Sequence, residues 1–600
     1  MTWADYKAPP GTQWNDPSKK GQERNFNIAL VTIDYSDMNF TITEPPNSTI
    51  FGTPSADAAN IPREDVPAWY RDFLNKPGQL NRGHTLHEYW MEDSHGRYGV
   101  DLTAFGPYRM PHLSYQYGIN DMNPGACPPG KECSLVIRND ALSLWREDVG
   151  NSTASNSTAK RDVPDAFGPP KTAGNTTLPN YAATRYVPWT SWAAAASVWP
   201  SANPASSSSV QCESSGMATF AHELSHLLHI WDNYNNPYGT PLRRTFTGPW
   251  SMMSRGQFNG PGSPHARWPV PPVQGSSMGS LHTVRDKLQI GLVDETSIVN
   301  ISRESLQTTG PLVTTVTARS VKTDRIGVRV LLGTDISPAC DVDKDLYCDG
   351  GGYDNYDVEV VGRMGADSFQ ADAGVMISKT KNSDSSEPFQ WTIDANPQDI
   401  KLIDFVLPNG TEAMITMGDY RQLLDALFHA GTRSGSKAEY KDEANGLHFY
   451  ILEKIRDESG VLPYTVGARA LNSTSKNGFG VRLGEGRPEP SENTPTGKGI
   501  FCSFELVNDG KYTQEFDVTS ALEPHVGFDI YRLQAEVKGK GWRTEVPNAL
   551  VAAQFGETVV ANIAVGATAN ADDVGVVTLT ATSESDPEAR ATARCEVRKT

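Results

Sequence analysis

Apolar residues recur at three- and four-residue spacing in three stretches of the N-terminal half, Glu64 to Leu74, Leu135 to Val149 and Glu213 to His229. Each spacing predicts an amphipathic helix. The third stretch places Met217, Phe220, Ala221, Leu224, Leu227 and Leu228 on one stripe, has no internal proline, and offers Ser214 or Ser215 as an N-cap. A further helix is expected from Ser280 to Ile290. Phe26 to Tyr35 is a near-continuous apolar run of strand length, suited to a sheet covered on both faces, and Gly96 to Phe105 reads as a second strand, a candidate edge for an extended peptide. From Ile298 to Leu483 the pattern turns to alternation, as in Val313-Thr314-Thr315-Val316-Thr317-Ala318 and Ile326 to Leu331, with one helix expected from Asp419 to His429. Gly484 to Gly499 is a linker by composition, and Ile500 to Thr600 carries about seven short strand candidates.

This pattern divides the chain into an α/β domain over 1–295, a mainly β accessory domain over 296–483, the linker 484–499 and an immunoglobulin-like β-sandwich over 500–600. Residues 151–179 are rich in Ser, Thr, Pro and Gly and read as a flexible insertion into the first domain, with Lys160-Arg161 as a solvated basic pair.

Charge and cysteines narrow the setting. The formal net charge is −18, from 53 basic and 71 acidic residues, which argues against nucleic acid or an anionic membrane as partner. No apolar run reaches the length of a membrane span. No basic-then-apolar leader is visible at the start of the chain, but two other features point to secretion. Asn39, Asn47, Asn151, Asn156, Asn175, Asn300, Asn409 and Asn472 each head a glycosylation sequon. Six of the seven cysteines pair by position, Cys127 with Cys133, Cys340 with Cys348 and Cys502 with Cys595, as in an oxidising compartment. Cys212 is left over and is expected to be a buried thiol.

The chemistry concentrates in the third helix, which reads Ala221-His222-Glu223-Leu224-Ser225-His226-Leu227-Leu228-His229-Ile230-Trp231-Asp232. Residues four apart on a helix share a face, so His222 and His226 can hold one Zn²⁺, and Glu223 beside them can take a proton from a water the metal activates. A catalytic zinc needs a third protein ligand. No glutamate occurs between Glu223 and Glu295, so a downstream Glu ligand is not available nearby. Asp232 lies six residues after His226, the offset at which metzincin-type enzymes, which this stretch resembles, place their third ligand, and that resemblance makes it the best candidate. The metzincin pattern that the stretch resembles has a glycine three residues after the second histidine, where it lets the backbone turn with positive φ; here that position holds His229. His229 either accepts the left-handed conformation there or prolongs the helix and offers a third imidazole. The second arrangement spreads positions 222 and 229 about 10 Å along the axis, a strained tetrahedral site.

Together with Thr247-Gly248-Pro249-Trp250-Ser251-Met252-Met253-Ser254-Arg255-Gly256, this stretch resembles the immune inhibitor A family of secreted zinc metallopeptidases, which is itself metzincin-like. The resemblance implies that Met253 forms a methionine turn beneath the zinc. Upstream, Tyr89 to Tyr98 and Gly106 to Pro111 are similar to the family's segment near the active-site cleft, with His95 where an aromatic residue is common. It extends over roughly residues 25 to 295 and implies endopeptidase activity on protein or peptide substrates.

Two other groups carry weaker signals. His265, in the Pro/Gly-rich segment after the methionine turn, is a candidate to line the cleft and stabilise a tetrahedral intermediate, or is a surface histidine. Asp341, Asp343 and Asp345 alternate carboxylates in a manner suggestive of Ca²⁺, but lack the glycine and terminal Glu of an EF-hand loop, and a plain solvated loop is the preferred reading. Two alternatives to a peptidase stay open: an adhesive or binding protein with a structural metal site, and a zinc hydrolase of a non-peptide amide.

Overall fold

In the N-terminal unit β1 (Arg24–Asp34) and β2 (Tyr98–Arg109) run parallel and in register from Arg24 opposite Tyr98. The computed structural model describes residues 2–46, 58–117, 137–149, 217–235, 243–260, 278–345, 347–400, 420–455, 457–494, 497–513 and 519–599, with a few isolated positions between them. Most β1 residues are half-buried, so this strand is less covered than its unbroken apolar run suggests. Helix α1 (Val66–Asn75) buries Val66, Tyr70, Phe73 and Leu74, the three- and four-residue stripe read from the sequence, on Leu30 and Leu102 of the two strands. Helix α2 (Leu86–Asp93) starts at a capping box between Thr85 and Glu88 and is buried along its whole length. Helices α3 (Ile137–Val149), α4 (Met217–Leu227) and α5 (Val284–Gln289) follow. Met217, Ala218 and Ala221 of α4 share a core with Tyr89 and Trp90 of α2 and with Met252 and Met253.

The next unit is a pair of sheets. Strand β3 (Ile298–Ser302) leads through α6 (Arg303–Thr309) to β4 (Leu312–Thr317), β5 (Gly327–Leu331), β6 (Asn355–Val361), β7 (Gly374–Thr380) and β8 (Gln390–Thr392). β9 (Glu439–Asp442), β10 (Leu447–Lys454) and β11 (Pro463–Ala470) complete it. One sheet has the order β3-β5-β6-β7-β8 and the other β9-β10-β11-β4, with one apolar core between them. β6 and β7 are buried at every position, so their runs read as continuous rather than alternating.

The helix expected over Asp419–His429 is a single 3₁₀ turn, Tyr420–Leu423. Its remaining backbone is spent elsewhere: Phe428 and Val375 exchange two hydrogen bonds, Ala395 N–H donates to Ala426, and Leu423 accepts from the Trp250 indole. The helical spacing of Leu423, Ala426 and Leu427 reflects burial against Trp250 and Met376 instead. In the acidic loop, Cys340 and Cys348 are bonded, Asp341 accepts from Lys344 Nζ at 2.6 Å and from Asp343 N–H, and Asp345 accepts from Tyr347 N–H.

The segment read as a linker contains a strand, Arg487–Thr494, paired antiparallel with Gly497–Val507. Its prolines, Pro488 and Pro490, are tolerated because it lies at a sheet edge, where a missing N–H leaves no neighbour unpaired. The C-terminal unit is a sandwich of two sheets, one including Gly497–Val507 and Thr558–Ala567, the other Phe528–Lys538, Val574–Ser583 and Arg590–Arg598. Cys502–Cys595 links the two sheets through their shared core.

No sharp gap separates the units. Ala366 and Phe369 belong to the core around α4, and Ile530 and Leu550 of the sandwich pack with Val313, Tyr450 and Leu452. Among the described residues no helix is long and apolar enough to cross a membrane. The insertion 151–179, Cys127, Cys212, His265 and the sequons at Asn47, Asn151, Asn156, Asn175 and Asn409 lie outside the described residues. Cys133 is disulfide-bonded.

Candidate metal centre

Helix α4 ends just after His226 in a capped turn. Ile230 N–H reaches back to Ser225 O and His229 N–H to His226 O, the six-to-one and five-to-two bonds of a Schellman C-cap. That motif requires a left-handed residue between helix and exit, and His229 takes it with φ 62°. His229 is exposed, pointing away from the helix core, while Ile230 is buried and Trp231 is 63% exposed. The sharp exit carries the chain back along the helix, so Asp232 arrives beside His222 and His226.

The three side chains converge. Asp232 Oδ1 lies 3.0 Å from His222 Nε2 and 3.5 Å from His226 Nε2. The two imidazoles are 4.8 Å apart, nearly perpendicular, and both are buried. Each ring is oriented through its other nitrogen: His222 Nδ1–H donates to Met252 O and His226 Nδ1–H donates to Ile230 O, both at 2.8 Å. Those bonds fix the tautomer that turns an Nε2 lone pair inward, as in metal-ligating histidines. Two imidazole lone pairs and a carboxylate oxygen then face one another, and Asp232 Oδ1 and Glu223 Oε2 are both buried without a hydrogen-bond donor. Such a set of acceptors fits a cation. It is the one cluster of three or more potential ligands among the described residues.

The electrostatics agree. Burial acts to raise the Asp232 pKa, but His222 and His226, once protonated in the metal-free site, override it and hold the carboxyl well below its usual range. For His222 burial lowers the pKa, and the Asp232 carboxylate outweighs it, pushing it up to about 9. Burial pushes the Glu223 carboxyl up to about 7, opposed by His222 and His226.

Met252 and Met253 lie fully buried under the site, and Met253 O accepts from Asn233 N–H at 2.7 Å. The methionine segment thus touches both sides of the ligand set, holding His222 through one carbonyl and the residue after Asp232 through the next. Tyr234 OH donates to Asp232 Oδ2 at 3.1 Å, and the Arg255 guanidinium stacks over the Tyr234 ring at 4.3 Å.

Behind α4 lies a buried polar chain. Ser225 Oγ meets His282 Nε2 at 3.0 Å, His282 Nδ1 meets Asp93 Oδ2 at 2.5 Å, and Asp93 Oδ1 pairs with Lys287 at 2.8 Å. Asp93, His282 and Lys287 are fully enclosed. Burial would raise the Asp93 pKa, yet Lys287 and His282 hold it well below the carboxylate range. The chain fixes the back of α4 against α2. His95 sits here too, in the left-handed region with φ 53°, its Nε2 bonded to Arg319 O. Asp93 lies in the segment Tyr89 to Tyr98 that carries the resemblance, but nothing in the sequence assigned a role to it or to Asn233, Tyr234, His282 and Lys287, because single polar residues so far apart meet only in the tertiary structure.

The His/His/Asp cluster on a helix and its capped exit, with a carboxylate beside it and a methionine segment beneath, is a candidate metal centre, and a metal-dependent peptidase is the class it fits. The comparisons agree with that class. The chain is 57% identical, over its whole length and 92% of the relative's, to a protein of the fungus Arthroderma benhamiae named "Putative secreted metallopeptidase". A family model described as a middle domain matches residues 289–471, and one described as a peptidase M6-like domain matches residues 482–599. The chain therefore belongs to this family of secreted metallopeptidases. The M6-like match falls on the C-terminal sandwich, not on the helix that carries His222 and His226.

Proposed function

We propose that the protein is a zinc endopeptidase of the extracellular space, with His222, His226 and Asp232 as the metal ligands and Glu223 as the general base. The observation that carries this reading is the convergence of His222 Nε2, His226 Nε2 and Asp232 Oδ1, three acceptors with no donor between them. The N/N/O donor set suits Zn²⁺, and three protein ligands leave a position open for chemistry. When bound, zinc supplies Lewis acidity, lowering the pKa of a coordinated water toward about 7 and polarising a carbonyl.

The remaining work falls to the chain's own groups. Glu223 accepts a proton at its unpartnered Oε2, and burial raises its basicity toward the working range of a general base. The same carboxyl can then deliver that proton to a departing amine. Met252 O and Ile230 O keep the histidines in the ligating tautomer, and Tyr234 OH occupies Asp232 Oδ2 and leaves Oδ1 to face the histidines. An intact base beside the ligands disfavours a purely structural metal. Protein substrates follow from the relative's name and from the resemblance to immune inhibitor A peptidases, of which the methionine segment at Met253 is part. Incubation with casein, with and without a zinc chelator, tests the reading: cleavage that the chelator abolishes and zinc restores is expected, and cleavage indifferent to the chelator would overturn it.

A further inference from the structure

The loop that carries Asp232 does not stand on the N-terminal unit alone. Strand β8 ends its sheet, and its outer edge would present unpaired peptide groups. The N-terminal unit covers that edge: Phe246 O accepts from Thr392 N–H, and the Asn233 side chain makes a two-way bridge one turn of strand earlier. Asn233 Nδ2 donates to Gln390 O and to Thr247 Oγ1, both at 2.8 Å, while its Oδ1 accepts from Phe389 N–H at 3.1 Å and Gln390 N–H at 3.3 Å. The carboxamide thus does what a neighbouring strand's peptide would do. It is 1% exposed and saturated with partners.

On the other side of Asp232, Trp231 N–H donates to Asp384 Oδ2 at 3.0 Å, and Asp384 is held in turn by Arg285. Asp232 is therefore flanked by two attachments to residues 384–390, a part of the chain about 150 residues further on. That segment lies inside the middle-domain match. Asn233 N–H meanwhile bonds Met253 O, so one residue joins the ligand loop, the methionine segment and the middle domain.

We propose that the middle domain completes the metal centre, with Asn233 as a positioning residue that uses the edge of β8 to hold Asp232 in ligating position. This inference rests on the reading of His222, His226 and Asp232 as ligands. It assigns the β unit a place in the reaction: the N-terminal unit supplies all three ligands, but the third is held by a strand it does not contain. Partners behind a ligand typically tune metal affinity or activity 10–100-fold, and this one acts through the backbone of the adjacent residue.

The test compares the full-length protein with Asn233→Ala, which removes the bridge, and Asn233→Ser, whose hydroxyl can keep at most part of it without adding a charge. Zinc dissociation constants are measured by chelator competition on the folded fraction, alongside kcat and KM on a peptide and the visible absorption of the Co²⁺-substituted proteins. The inference expects weaker zinc binding by roughly 10–100-fold in Asn233→Ala, a smaller loss in Asn233→Ser, an altered Co²⁺ spectrum in both, unchanged KM, and recovery of kcat in excess zinc. If Asn233→Ala fails to fold, the Asn233→Ser series decides. A variant with a lowered unfolding temperature but wild-type zinc affinity and Co²⁺ spectrum would overturn the inference and leave Asn233 as packing only. Wild-type protein that binds no zinc would overturn the ligand reading itself, a separate outcome.

Discussion

Asp232 Oδ1 sits 3.0 Å from His222 Nε2, although the Nδ1–H of that imidazole is already committed to Met252 O. With His222 neutral, an oxygen and a nitrogen lone pair face each other in a buried place; a metal ion or a proton must lie between them.

The first consequence concerns pH. In the metal-free protein the proton fills that place, and the His222 pKa stands at about 9, because the effect of Asp232 exceeds that of burial. A ligating histidine must be neutral, so below that value zinc displaces a proton. Apparent zinc affinity should rise about tenfold per pH unit from pH 6 to 8 and level off above about 9. Calorimetry in buffers of different ionisation enthalpy should detect the released proton. Affinity that is flat over this range would contradict the assignment of the proton to the pair.

Glu223→Ala should keep its zinc, since Glu223 is not among the converging ligand atoms, and lose cleavage by about 10²–10⁴-fold, the usual contribution of a general base. Metal analysis and a casein assay on the same preparation check both halves. Wild-type turnover in the variant would remove Glu223 from the mechanism.

Asp232→Ala should bind zinc more weakly by more than about 100-fold, beyond what outer partners of a ligand contribute. His229→Ala should not, because His229 is exposed beyond the helix end. A chelator titration of the two variants side by side decides between these residues as third ligand. Zinc lost from the His229 variant and kept by the Asp232 variant would reverse the assignment.

At position 229 the backbone itself can be tested. An L-residue in the left-handed region costs about 1–2 kcal/mol, and Gly escapes that cost but gains freedom when unfolded. His229→Gly should therefore stay within about 1 kcal/mol of the parent in urea unfolding, with full activity. His229→Val should lose about 1–2 kcal/mol or more, since a β-branched side chain resists φ near 62°.

Where packing is local, the sequence is readable. α1 and α3 lie within two residues of the periodic stripes that predict them, and α4 bears its two histidines on one buried face because four-residue spacing is a property of the helix alone. The capped exit through His229 is also local, and it brings Asp232, six residues after His226, beside the two histidines. The segment 419–429 fails for the opposite reason: its Leu423, Ala426 and Leu427 are spaced for a helix but buried by Trp250 and Met376, from other parts of the chain. The strand at 487–494 hides behind prolines that only its edge position permits. Asn233, His282 and Lys287 are ordinary polar residues until the fold brings β8 and α2 to them.

Whether His222, His226 and Asp232 hold the zinc is decided by a crystal structure of the active protein grown with zinc, with anomalous diffraction recorded across the zinc absorption edge. One strong peak is expected about 2.0–2.2 Å from His222 Nε2, His226 Nε2 and Asp232 Oδ1. An active crystal with its zinc peak away from these three atoms, or with no zinc peak, would contradict that assignment.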